Sequence, residues 1–309
     1  MKIAVIGAGV MGPGIAQVFL MGGHQVYLND ISQDALEKAR MMIRGTLDQM
    51  AAKDVIDENA TRCLDNLMLS VNLEEAVKDA AIVIEAVPEQ IEIKQALYQE
   101  LDKYCAEDAV IASNTSALPL PEIFPDFRSG KFFVAHFFNP PSILPLVELV
   151  KNDKAEPEKV ELLKGALEEC GKTVVVVNQF VKGFLINRLQ TALSREALYL
   201  LDHGIVSAED LDKAARASIG FKSVWQGFFD TMDYIGLDTV SFVYDIIYPE
   251  LCNDEKTPEV IHDMVKQGKL GTKSGEGFYK YTAESLAQTN EKRIDMLLEQ
   301  LKLWNKYEA

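Results

Sequence analysis

The sequence predicts an α/β protein: a doubly wound, mostly parallel sheet over residues 1–182, followed by an all-helical domain over residues 183–309. Three observations predict it. Short Val- and Ile-rich runs alternate with helical patterns, the alternation that builds a parallel sheet from βαβ units. The first run ends in a glycine-rich turn and the second in an aspartate, all within one βαβ length. After Gly183 the strand-like runs stop, and apolar residues recur at three- and four-residue spacing.

Residues 2–6, K-I-A-V-I, form a buried-strand pattern running directly into Gly7-Ala8-Gly9-Val10-Met11-Gly12. Gly7 permits the tight turn, Gly9 lets a pyrophosphate approach the backbone, and Gly12 lets helix and strand pack closely. With Val10 and Met11 between them, these residues are the candidate dinucleotide turn. Ile15, Ala16, Phe19 and Leu20 then recur at helical spacing, Pro13 sits in the first turn where no N–H is needed, and Gly22-Gly23 stops the helix. The next strand, H-Q-V-Y-L-N-D, ends in Asp30. Its carboxylate suits the adenosine ribose and would repel a phosphate there. Ile31-Ser32-Gln33 brings no Arg, so the cofactor expected is NAD rather than NADP. A glycine turn can be merely structural; the flanking strand, helix and acidic residue favour the nucleotide.

Residues 33–55 read as a moderately charged helix. Residues 80–87, A-A-I-V-I-E-A-V, read as a strand ending at Pro88-Glu89, with a helix carrying Lys94 after it. Residues 108–116 form a further strand that runs into a polar tip of Ser113, Asn114, Thr115 and Ser116, and residues 173–177 form another. In such sheets ligands bind at the carboxyl ends of the strands. The glycine turn, Asp30, Pro88-Glu89, the polar tip and residues 136–139 are those ends, expected around one crevice.

The chemistry is expected in residues 131–150, K-F-F-V-A-H-F-F-N-P-P-S-I-L-P-L-V-E-L-V. Two apolar runs each carry one ionisable residue, His136 in one and Glu148 in the other. Asn139-Pro140-Pro141 between them cannot continue a sheet ladder, because proline lacks the donor. A carboxylate in so apolar a run is costly to bury without a partner, and an imidazole from the neighbouring run supplies one. His136 and Glu148 are therefore read as a base and its orienting acid, against the alternative that His136 is an ordinary hydrogen-bonded core residue.

From Gly183 the pattern is helical to the end, with Gly204 closing one helix and Ser207 capping the next. A helical domain with this much apolar surface suggests a homodimer. The net charge of −16 and pI of about 4.8 argue against nucleic acid or an anionic membrane as partner. Cys63, Cys105, Cys170 and Cys252 are scattered with no C-x-x-C pair, so no metal site or disulfide framework is expected. No apolar run reaches the roughly 18–20 residues of a membrane span. The opening M-K-I-A-V-I-G reads as part of the fold rather than a leader, so the expected location is cytoplasmic.

Several ordered motifs, G-A-G-V-M-G-P-G-I-A, A-S-N-T-S, A-H-F-F-N-P-P, V-E-L-V, G-F-L-I-N-R-L and L-G-T-K-S-G-E-G-F-Y, resemble those of the L-3-hydroxyacyl-CoA dehydrogenases of fatty acid metabolism, over nearly the whole chain. The resemblance implies a Rossmann-type NAD domain and a catalytic histidine at His136 oriented by Glu148. It also implies catalytic roles for Ser116 and Asn187, as hydrogen-bond donors to the developing carbonyl oxygen or the thioester, and places Asn139 in the active site with the substrate. For the cofactor it adds Glu89, Lys94 and Asn114 to the glycine turn and Asp30. Thr46 and Lys53 match in spacing a Ser and Lys that touch CoA in relatives. Where acyl-CoA enzymes carry a P-M-G-P type turn, this chain has Trp225, Gln226, Gly227 and Phe228. The two aromatics would shrink or reshape an acyl pocket. Other segments resemble the branch acting on free hydroxy acids, such as L-gulonate 3-dehydrogenase and its lens relative lambda-crystallin.

Three functions are thus expected in turn: oxidation of a short-chain 3-hydroxyacyl-CoA, the same chemistry on a small non-CoA hydroxy acid or alcohol, and an NAD-binding structural or sensor protein. Retention of both His136 and Glu148 argues against the third.

Overall fold

The computed structural model describes residues 1–116, 118 and 126–307. Eight strands make one sheet: β1 (Lys2–Ile6), β2 (Gln25–Asn29), β3 (Leu67–Ser70), β4 (Ile82–Glu85), β5 (Val110–Ser113), β6 (Phe132–Phe137), β7 (Leu146–Val150) and β8 (Thr173–Val177). Their order is β3-β2-β1-β4-β5-β6-β7-β8. Every pairing is parallel except β6 with β7. The order reverses between β1 and β4, the switch point beyond whose strand ends sheets of this kind bind their ligands. The Rossmann-type expectation holds, with β3 added, a strand whose four residues carry too little pattern to read.

The period-two alternation of β1 divides the core into two layers. Ile3 and Val5 pack with Ile15, Phe19 and Leu36, while Ala4 and Ile6 pack with Tyr98 and Leu101 on the other face. Helix α1 (Gly12–Met21) begins with its proline in the first turn, and α2 (Gln33–Ala52) is capped by the Ser32 hydroxyl accepting from the Ala35 N–H. Helices α3 (Leu73–Val77) and α4 (Ile91–Tyr104) complete the first half of the sheet's cover.

The chain forms two compact units, one of Met1–Ile186 with the residues from Asp295 onward, the other of Asn187–Ile294. The expected boundary at 182/183 assigned the whole C-terminal stretch to the helical part. The second unit contains the helices Ile186–Asp202 (after its first residue), Ala208–Ala215, Phe228–Ile235, Leu237–Ile247 and Glu259–Lys266. As expected, Ser207 caps the second of these, accepting from the Asp210 N–H. Turns and irregular stretches join these helices, and one turn-rich segment carries the bridges Gly271↔Glu276 and Glu276↔Lys280.

Candidate active site

The site is assembled from the strand ends. Gly7 has φ +104°, and a Cβ there would lie 2.6 Å from the Ala86 carbonyl oxygen. Gly12 is tighter still, since its Cβ would overlap the Gly7 carbonyl oxygen. Gly9 differs: nothing lies within 4 Å of where its Cβ would be, and Val10 beside it is 75% exposed, so this turn offers open backbone to a phosphate. Asp30 braces the same turn, its Oδ2 accepting from the Ala8 N–H at 2.8 Å and its Oδ1 from the Ser32 N–H at 3.0 Å. The glycine cradle with its open Gly9 and the acidic residue beside it fit NAD. Met11 packs against the core as the residue before α1.

Beyond β4, Glu89 accepts from the Thr115 hydroxyl (2.5 Å) and the Ser116 N–H (2.9 Å), and its Oε2 lies 3.3 Å from Lys94 Nζ. Burial pushes the Glu89 carboxyl up, but the Thr115 hydroxyl and the Lys94 ammonium outweigh it and hold the group below the usual carboxylate value. Lys94 is itself buried and bound 2.7 Å from Glu85, so it acts from behind Glu89. Asn114 uses its side-chain oxygen to accept from the Phe137 N–H at 2.9 Å, tying the end of β5 to the end of β6.

Register puts His136 of β6 directly opposite Glu148 of β7. The imidazole Nδ1–H donates to Glu148 Oε2 at 2.7 Å, with both side chains buried. That bond leaves Nε2 as the ring's acceptor. Phe138 and Phe184 flank the ring at 4.5 and 5.4 Å between centroids. The second Glu148 oxygen accepts from the backbone N–H groups of Leu185 (3.0 Å) and Ile186 (2.8 Å). Gly183 (φ +79°) and Phe184 (φ +50°) make the left-handed turn that aims those amides. A non-glycine residue in that region costs on the order of 1 kcal/mol or more, which its burial and the two bonds offset. Burial would raise the Glu148 carboxyl, but the His136 bond and the two amides bring it below the usual value.

The remaining expected site residues differ in their surroundings. Ser116 is exposed at the polar tip, and Asn139 is exposed just past β6, before a cis peptide to Pro140. Thr46 spends its hydroxyl on its own helix, donating to the Met42 carbonyl at 3.0 Å. Lys53 ends α2 and is paired with Asp295 at 3.1 Å. Asn187 is the second residue of the helix Ile186–Asp202. Trp225 and Phe228 belong to the second unit, 63% and 54% exposed, and the Trp225 ring stands edge-on to Tyr234. No cluster of potential metal ligands occurs among the described residues.

Sequence reasoning passed over Glu85. It is fully buried at the end of β4 and accepts from Lys94 Nζ, the Val87 N–H, the Tyr98 hydroxyl and the Ser113 hydroxyl, at 2.7–2.8 Å. The signal was present, a carboxylate closing I-V-I-E-A-V.

Family models agree with the geometry. The 3-hydroxyacyl-CoA dehydrogenase NAD binding domain matches residues 2–180, and the C-terminal domain of the same family matches residues 183–281. The mitochondrial hydroxyacyl-coenzyme A dehydrogenase of Rattus norvegicus is 37% identical over 289 residues, covering 90% of each chain. The crystal structure of 5-formyl-3-hydroxy-2-methylpyridine 4-carboxylic acid 5-dehydrogenase, an NAD-dependent dismutase, superposes with a TM-score of 0.90 at 30% identity, covering 98% of both chains. The (S)-3-hydroxybutyryl-CoA dehydrogenase of Ralstonia eutropha superposes with a TM-score of 0.74 at 28% identity, covering 91% of this chain and 99% of its own.

Proposed function

This chain belongs to the 3-hydroxyacyl-CoA dehydrogenase family, an NAD-dependent dehydrogenase acting on a CH–OH group, and we propose that His136 and Glu148 carry that chemistry as base and orienting acid. The 2.7 Å bond between them, buried at the strand ends, carries the reading. His136 Nε2 takes the hydroxyl proton as the carbinol carbon is oxidised. Glu148 keeps the ring in the Nδ1–H tautomer and stabilises the imidazolium that forms, while the Leu185 and Ile186 amides keep Glu148 from following the ring. NAD, when bound, supplies the hydride acceptor. The turn from Gly7 to Gly12 would hold its pyrophosphate, Asp30 its ribose, and Glu89 with Asn114 its nicotinamide half. Ser116, Asn139 and Asn187 are assigned to the substrate's oxygen and acyl group, where hydrogen bonds stabilise developing charge.

The substrate we favour is a small hydroxy acid or alcohol without CoA. Lys53, the family's expected CoA contact, is engaged by Asp295, and Thr46 is satisfied within its own helix. The superposition on the pyridine carboxylate dehydrogenase (0.90) also exceeds that on the hydroxybutyryl-CoA enzyme (0.74). A short-chain 3-hydroxyacyl-CoA is the second reading, favoured by the 37% identity to the rat enzyme. Following NADH oxidation with acetoacetyl-CoA beside a panel of free keto acids and aromatic aldehydes separates them. Higher kcat/KM on the free compounds is expected, and the reverse ranking selects the CoA thioester. Tight NADH binding with no turnover of any of them would leave a cofactor-binding protein without this reaction.

A second copy of the chain is proposed to cover the helical unit. Phe229, Tyr234 and Phe242 are 81%, 78% and 68% exposed, and Val240 is the one buried apolar residue described between 187 and 294. So large an apolar surface marks an interface. Sedimentation should give a dimer, and a monomer at micromolar concentration would overturn it.

A further inference from the structure

Lys172 is a buried lysine with no carboxylate partner among the described residues, and the mechanism above does not use it. Only 8% exposed, it stands one residue before β8 and points its ammonium into the connection between β6 and β7. Its Nζ donates to the carbonyl oxygens of Pro141 (2.5 Å) and Leu144 (2.9 Å). Desolvation by burial lowers its pKa to about 8, so holding the charge there is costly. Those two carbonyls belong to one turn, closed by the Ile143 and Leu144 N–H groups, which both donate to the Pro140 carbonyl. The turn is gripped from its other side as well. A Cβ on Gly14 of α1 would come within 2.8 Å of Pro141 Cδ, so the proline ring lies against the backbone of the dinucleotide helix. The next residue, Thr173, donates its N–H to the Pro145 carbonyl and starts the β7–β8 pairing.

We propose that Lys172 is a positioning residue for the hydride-transfer site: its ammonium clamps the turn that joins the His136 strand to the Glu148 strand against α1. The clamp fixes two things. It sets the separation of the two strands where the base and its orienting acid meet. It also sets where Asn139, at the start of the turn, stands relative to the glycine turn at the head of α1. A methionine would fill the same volume without the two donors. The inference rests on the His136–Glu148 reading, and its test separates the two.

The test compares Lys172→Met and Lys172→Arg with the wild-type protein and with His136→Ala. One reading needs no substrate: the downfield proton resonance of the His136 Nδ1–H, identified by its loss in His136→Ala. The other is the single-turnover rate of NADH oxidation on the best substrate of the panel above. In Lys172→Met the resonance should shift or broaden and the rate fall about ten- to a hundredfold, the scale of a misplaced reacting group. NADH affinity should stay within about twofold, since the phosphate turn is untouched. Lys172→Arg, which keeps the donors, should recover both readings. An unmoved resonance in folded Lys172→Met overturns the clamp, whatever its rate. If Lys172→Met does not fold, the same readings on Lys172→Gln, which retains one donor group, decide it: an unmoved resonance there also overturns the clamp. Wild-type turnover by His136→Ala would instead remove the catalytic reading.

Discussion

Two carboxylates, Glu148 and Glu85, are fully buried on interior strands of the same sheet, and they differ in what holds them. Glu85 receives four donors, among them the ammonium of Lys94, and all belong to fixed side chains or backbone of the first unit. Glu148 receives two amides and an imidazole. Both are satisfied, as a buried charge must be. The ammonium makes Glu85 half of a structural ion pair, bracing Lys94 behind Glu89. The imidazole, a ring that can both bind and release a proton, makes Glu148 part of a centre suited to proton transfer. The same burial therefore serves stability in one place and chemistry in the other, and the donor's own acidity decides which.

The comparison is broken most easily at the imidazole. His136→Ala should lower kcat about 10²- to 10⁴-fold, the range for loss of a general base, with NADH affinity unchanged in a fluorescence titration. Wild-type turnover would sink the assignment. Glu148→Gln comes next. It leaves the packing intact but removes the charge that stabilises the imidazolium, and about a hundredfold loss of kcat is expected. A variant that lost stability and kept its rate would make Glu148 another Glu85.

The other carboxylate should behave in reverse. Lys94→Met leaves Glu85 buried without its cation, which costs about 3–5 kcal/mol in the urea-unfolding free energy. Turnover per folded, NADH-saturated molecule should change far less than in His136→Ala, and an equal loss in both would erase the distinction.

How much of this was legible follows from what each centre is made of. His136 and Glu148 stood out as ionisable residues in apolar runs, and two adjacent strands joined by a turn bring them into register. Glu85 broke its own run in the same way. Its donors, however, come from Val87, from two turns of α4 and from the end of β5, and no short stretch of sequence announces that meeting. The Leu185 and Ile186 amides were invisible for a different reason: backbone groups leave no mark, and Phe184 at positive φ is a conformation its residue type argues against. Lys172, after Gly171, reads as a surface lysine until the turn from Pro140 to Leu144 is seen folded over it. Apart from β3, the mostly parallel sheet was readable because its strands are nearly continuous apolar runs.

Opposite pH limits sharpen the comparison further. The Glu148 carboxyl is held below its ordinary 4.5, so its contribution to stability is present above that pH and lost as the pH falls through the folded-state value. Tyr98, hydrogen-bonded to Glu85, is raised from 10.0 by burial first and the Glu85 charge second. The folded protein keeps that phenol proton where the unfolded chain loses it, so its contribution is intact below pH 10 and lost as the pH rises beyond. Each group can contribute at most about 1.4 kcal/mol per pH unit inside its window. Glu148→Gln should flatten the acid limb of the unfolding free energy and Tyr98→Phe the alkaline limb; exchanged limbs would contradict both centres.

The smallest effect belongs to a third pair, which tests whether burial or pairing sets the scale. Lys53 and Asp295 meet at 3.1 Å with their side chains 41% and 46% exposed. Exposed pairs are worth about 0–1 kcal/mol because water and salt already stabilise each charge. Asp295→Asn should therefore move the unfolding free energy by less than about 1 kcal/mol, and less still in high salt. A loss comparable to that of Lys94→Met would mean that pairing rather than desolvation governs both. The same variant releases the Lys53 ammonium. If Asp295 is what withholds that residue from a CoA substrate, the KM for acetoacetyl-CoA should fall in Asp295→Asn while that for free keto acids stays put. An unchanged KM for both would remove Lys53 from the substrate argument and leave the aromatic pair Trp225 and Phe228 to carry it.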